Sequence, residues 1–132
     1  MIVTKDIEEI LITDLSSVID VGSIYGPDDI PAGKVTSERV VIIPKETRTE
    51  KYFNKCFVEV NWCVPDLGDY PNSLRLQEVE RVTKPFFDKV GQFDGTTYRY
   101  GIESSGIKRD KDLECHYVNT RVLFEIINTI NP

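Results

Sequence analysis

Apolar residues along the chain fall into helical stripes and into runs that alternate with polar residues. Ile7, Ile10, Leu11, Leu15 and Val18 recur at helical spacing, with Asp6, Glu8, Glu9 and Asp14 on the opposite side. They predict a helix over residues 5–18, with Thr4 as its N-cap and Asp6 placed to complement the helix dipole. Gly22 and the run Gly26-Pro27-Asp28-Asp29 break this pattern around a short extended piece at Ile24-Tyr25. The β-branched run Val40-Val41-Ile42-Ile43 predicts a strand that Pro44 closes, because proline cannot donate to a strand ladder. Residues 45–51 carry no apolar side chain and read as a mobile hairpin loop.

The strongest strand signal runs from Phe53 to Val64. Cys56, Val58, Val60, Trp62 and Val64 share one face, and Lys55, Phe57, Glu59, Asn61 and Cys63 share the other. A second helix is expected from Asn72 or Ser73, with Leu76, Val79, Val82, Thr83, Phe86 and Val90 as its apolar stripe. Pro85 should kink or end it near Thr83. Gly91 and Asp94-Gly95 mark a turn, Thr96 to Ile102 a strand, and residues 103–112 a second polar loop. The last strand, Leu113 to Ile127, sets His116, Val118, Thr120, Val122, Phe124 and Ile126 on one face. Tyr117, Asn119, Arg121, Leu123 and Glu125 fall on the other. The order helix, two strands, helix, two strands predicts one α+β domain over residues 1–132. Its expected form is a mainly antiparallel four-stranded sheet with two helices packed on one face.

Composition narrows the function classes. The 132 residues carry 16 Lys and Arg against 22 Asp and Glu, a net charge of −6, which argues against a general grip on nucleic acid. Met1 to Asp6 lead into an acidic amphipathic stretch rather than a basic then apolar one, so no secretory leader is expected. No apolar run reaches the ~20 residues that span a bilayer, so no membrane association is expected. Cys56, Cys63 and Cys115 are odd in number and have no paired spacing. That fits free thiols and folding in a reducing cytoplasm.

Little in the chain points to catalysis. His116, the single histidine, adjoins Cys115, but neighbouring strand residues point to opposite faces and do not form a Cys/His pair. Cys56 and Cys63 face opposite ways on one strand and cannot share a metal. A glycine-rich phosphate loop is absent, and Asp28-Asp29, Asp66 and Asp69 read as turn residues. No catalytic residue, cofactor or metal is therefore expected. More informative are Phe57, Cys63, Tyr117 and Leu123, apolar groups on faces that alternation turns outward. Either a second layer or another subunit covers them; two helices cover one side of a sheet well but hardly both, which favours a subunit contact. Arg48, Lys108 and Arg109 in the polar loops would reach a neighbour.

The layout resembles the tail-terminator, or tail-completion, proteins of long-tailed bacteriophages. The resemblance spans most of the chain to Ile127. It rests on the strand Arg39-Val40-Val41-Ile42-Ile43 with its polar loop, the strand Cys56 to Pro65, the helix carrying Lys84-Pro85-Phe86-Phe87, the segment Tyr98-Arg99-Tyr100, and the strand Tyr117 to Glu125. A strand closed by proline, then a helix with a late proline, is its most specific element. The Gly22 to Gly33 stretch departs from the pattern in being longer and richer in Gly and Pro. The resemblance implies a structural virion protein, not an enzyme: a homo-oligomeric ring, a hexamer, that caps the tail tube and joins it to the neck or connector proteins at the tail–head junction. DNA would pass through such a ring without specific binding, as an acidic surface favours. Another neck or head-completion protein, or a small protein-binding adaptor, would share the same pattern.

Overall fold

A computed structural model describes residues 1–19 and 23–127; Gly22, read above as a helix break, lies outside the described residues. Helix α1 spans Thr4–Ser16. Ile7, Leu11 and Leu15 are fully buried along its inner stripe. Its N-cap is Val3 rather than Thr4, and the Asp6 carboxylate accepts from the Val3 backbone N–H at 2.9 Å. The helix stops two residues short of the expected Val18. There the Ser16 and Ser17 hydroxyls donate to the Ile12 and Asp14 carbonyls, offering the backbone an alternative to another turn.

Strands β1 (Ile24–Tyr25), β2 (Arg39–Thr49), β3 (Phe53–Pro65), β4 (Asp88–Phe93), β5 (Thr96–Asp110) and β6 (Cys115–Ile127) form one sheet. Helix α2 (Ser73–Phe86) lies between β3 and β4 in sequence. The strand order is β1-β2-β3-β6-β5-β4. The expected four-stranded, mainly antiparallel sheet is therefore incorrect: the sheet is six-stranded, mixed and curled. Two edge strands account for the difference. β1 is only two residues long, too short to show a period, yet it pairs in parallel with β2 through Ile24↔Val40 and Tyr25↔Val41. β4 occupies residues read as helix stripe and turn. It pairs with β5 across Asp94 (φ 50) and Gly95 (φ 76), a two-residue Asp-Gly connection with both residues left-handed, as a type I′ hairpin turn requires.

Both polar segments expected to be loops are largely strand. β2 runs past Pro44 to Thr49 with a register shift between Pro44 and Thr47. β5 runs past Ile102 to Asp110 with a shift between Ile102 and Ser104. Such irregularities let a ladder absorb an extra residue, and at Pro44 a missing donor, without ending. Pro85 likewise sits within the last turn of α2, which continues to Phe86 instead of ending near Thr83. Val82 and Val90, assigned to the buried stripe, are exposed, and Val90 belongs to β4.

One main core fills the space between the sheet and both helices. It contains Cys56, Val58, Val60, Trp62 and Val64 of β3, Val118, Val122, Phe124 and Ile126 of β6, and Leu76 and Val79 of α2. Phe124 stacks on Tyr98 and Tyr100 at centroid distances of 5.1 and 5.8 Å. Phe87, just beyond α2, meets Tyr100 edge-on. The opposite sheet face carries no helix.

Candidate assembly surface

The helix-free face is organised by direct cross-strand pairs. Phe57 of β3 lies opposite Leu123 of β6, Asn61 opposite Asn119, and Cys63 opposite Tyr117. Val41 and Ile43 of β2 continue these rows opposite Asn61 and Glu59. Phe57, Leu123, Tyr117 and Ile43 are half-buried, while Val41 and Asn119 on the same face are buried. Cys63 differs. With Cys115 and Val35 it forms a small second core, closed by Leu113, Tyr117 and the segment that precedes β2. The Val35 N–H donates to the Leu113 carbonyl at 2.9 Å and ties that segment down. One end of the face is thus covered by the chain itself, and toward the other end Phe57 and Leu123 stay half-buried.

Charged groups frame the open part. Lys45 pairs with Glu59 at 3.3 Å, Arg99 with Glu125 at 3.1 Å, and Arg121 with Glu103 at 3.6 Å. The Arg121 guanidinium also lies 4.2 Å from the centre of the Phe57 ring, a cation–π contact that shields one side of that ring. Asn119 donates to Asn61 at 2.6 Å, so the amides at the centre satisfy each other.

The predicted contact residues do not form one patch. Phe57 and Leu123 meet, and Cys63 and Tyr117 meet, with the Glu59/Arg121 and Asn61/Asn119 pairs between them. Lys108 is exposed and lies across from Tyr117, on this same face. Arg109 alternates away and lies across from His116, on the helix-bearing side. Arg48 is exposed on the β2 extension opposite Lys55, at the other end of the sheet from Lys108. Strand continuation separates these cations, which a flexible loop would have let converge.

Two residues that the sequence pattern passed over belong to the covered end. Arg39 lies directly opposite Cys63 and is 7% exposed. Its Nη1 donates to the Pro31 carbonyl at 3.3 Å, while its Nε is buried with no hydrogen-bond partner. Cys115 is fully buried on the same face. Arg39, Cys63 and Cys115 line a depression of about 180 Å³ together with Ile30, Asn61 and Tyr117. The neighbouring Cys115 thiol holds Cys63 below the ordinary thiol range against the opposing effect of burial, and Arg39 pulls in the same direction. Cys63 and burial push Cys115 upward. The clue in the sequence was period two: Arg39, Val41 and Ile43 share a face, so a strand beginning at Arg39 must point its guanidinium away from the main core.

His116 is half-buried and its Nδ1 lies 2.7 Å from Asp66 Oδ1. This pair bridges β6 to the segment after β3, and Cys115 points to the other face. Among the described residues no group of three or more His, Cys, Asp or Glu is placed to hold a metal ion, and no helix is long and apolar enough to cross a membrane.

No protein-family model and no curated protein matches this sequence. A solved structure whose description carries no function superposes with a TM-score of 0.52 over 95% of this chain and 97% of that chain, at 12% identity. At that identity the similarity speaks for a shared fold alone.

Proposed function

We propose that this chain is a structural assembly protein of a bacteriophage tail, a tail terminator that closes into a ring at the tail–head junction. The observation that carries this reading is the sheet face turned away from both helices, where Phe57, Leu123 and Ile43 are only half-buried. Apolar rows framed by charged pairs are the anatomy of a subunit contact, with a hydrophobic centre and a polar rim. The strand extensions suit the same role. The outer sides of β2 beyond Val41 and of β5 beyond Gly101 pair with no strand among the described residues, and a neighbour in a ring can add to them there. A net charge of −6 suits a conduit that conducts DNA without holding it. The resemblance in element order supplies the identity of the assembly, and the exposed face supplies its physical need.

Sedimentation over a wide concentration range, with and without purified tail-tube protein, tests the proposal. Closed rings, six subunits by the resemblance, are expected, and Phe57→Asp should leave a folded monomer. A wild-type chain that stays monomeric at every concentration and ignores tail-tube protein would overturn it. A single heteromeric partner with no self-association would point to an adaptor instead.

A further inference from the structure

We propose that Cys63 is a selective thiol-exchange site, in which the depression between β2, β3 and β6 admits a small disulfide and Arg39 holds the sulfur ready to react. Arg39 is a buried cation that meets no carboxylate at hydrogen-bond distance among the described residues, and its Nε has no hydrogen-bond partner among them. A guanidinium in that state favours an anion beside it, because an unpaired buried charge is costly. Its direct cross-strand neighbour is Cys63. The Cys63 S–H has the Asn61 carbonyl 4.0 Å away, a weak acceptor at that range. Losing the proton therefore sacrifices little, while the resulting anion gains Arg39 directly across the strand pair.

The groups that face Cys63 from each neighbouring element are Arg39 of β2, Tyr117 and Cys115 of β6, and Asp110 of β5, with Lys108 one pair beyond Tyr117. Asp110 opposes the anion, whereas Arg39 and Cys115 favour it. Cys56 provides an internal contrast. It lies in the main core, where burial raises its thiol, and no cation accompanies it. Three cysteines in one chain should thus show one reactive and two inert thiols.

The chemistry balances without an outside oxidant. Cys63 in its anionic form attacks one sulfur of the small disulfide. A new S–S bond forms at Cys63, the reagent's S–S bond breaks, and the departing thiolate takes up a proton from water. The product is a mixed disulfide at Cys63. This inference is independent of ring formation and is measured on the dilute chain.

The test uses 5,5′-dithiobis(2-nitrobenzoate) and oxidised glutathione on the native protein, with peptide mass mapping. One thiol should react fast at pH 7 and carry the adduct at Cys63, with a rate that levels off below the ordinary thiol range of about 8.5. Cys63→Ser should remove the fast phase. Cys115→Ala and Arg39→Gln should each slow it about tenfold, and Arg39→Lys should restore most of the rate. A first adduct on Cys56 or Cys115, or reaction only when denaturant unfolds the chain, would overturn the proposal. Should Arg39→Gln fail to fold, the wild-type map and pH profile decide the matter alone.

Discussion

Glu38 shows how one carboxylate joins three elements. It accepts from Arg75 Nε and Nη2 of α2 at 2.7 and 2.9 Å and from Trp62 Nε1 of β3 at 2.9 Å. Partial burial opposes its charge, but the Arg75 and Trp62 hydrogen bonds prevail and hold it below the usual carboxylate range. A carboxyl lowered on folding stabilises the protein above its unfolded value of about 4.3, and that stabilisation is lost as pH falls through the folded value. Glu38→Gln should therefore cost about 1 kcal/mol at pH 7, a figure kept low because the site is partly wet. Urea unfolding of both proteins across pH 2–7 should show the gap closing toward the acid end. Gly26 is a second sensitive point, because a Cβ there would run into the carboxylate of the buried Glu8. Gly26→Ala should destabilise by about 1–3 kcal/mol through the loss or displacement of that carboxylate's contacts, measured as a lowered urea midpoint.

At the scale of elements, α2 separates stripe from surface within three residues. Leu76 is 1% exposed and Leu74 is 77% exposed. Leu76→Ala should cost about 2–5 kcal/mol, and Leu74→Ala should stay within about 0.5 kcal/mol; thermal unfolding distinguishes them. This contrast was legible in the sequence, because helical period ties burial to position. So was the alternation of β3 and β6, whose inward residues from Cys56 to Val64 are all buried apart from those that alternate outward. The extensions of β2 and β5 were not legible. Lys45, Glu46, Arg48, Glu103, Lys108 and Arg109 are polar because solvent reaches them, and a solvated strand has the composition of a loop. Their ladders depend on the backbones of β3 and β6, each reached across a hairpin, and polar composition does not show where such a ladder ends. The same holds for Arg39 and Cys115, which meet Cys63 only through register. Replacing residues 46–52 by a two-residue turn should leave the unfolding midpoint within about 1 kcal/mol of wild type, because the removed side chains lie outside the main core. Loss of ring formation in the same variant, read by sedimentation, is expected if that ribbon reaches a neighbour.

For the whole molecule the two sheet faces divide the work. One face and two helices hold the main core, and the other is the face proposed above for contacts between molecules. Phe57→Asp is the substitution that separates these roles. Phe57 is half-buried and outside the main core, so circular dichroism should show a native fold while association is lost. The acidic surface predicts a further property. The chain should elute from an immobilised DNA column at physiological salt, since 22 acids outnumber 16 bases and Arg99, Arg121 and Lys45 are already paired to carboxylates.

Some of this was determined by the chain alone. Periods of 3.6 and 2 assign a residue to an inner or outer face wherever one side is dry, and charge balance needs no coordinates at all. The number of strands, the parallel edge at Ile24-Tyr25 and the meeting of Arg39, Cys63 and Cys115 were decided only by the tertiary structure. Local pattern reports what each residue avoids, namely water or burial. Which distant backbone completes a hydrogen-bonded ladder, and hence which side chains become neighbours, depends on how the whole sheet closes.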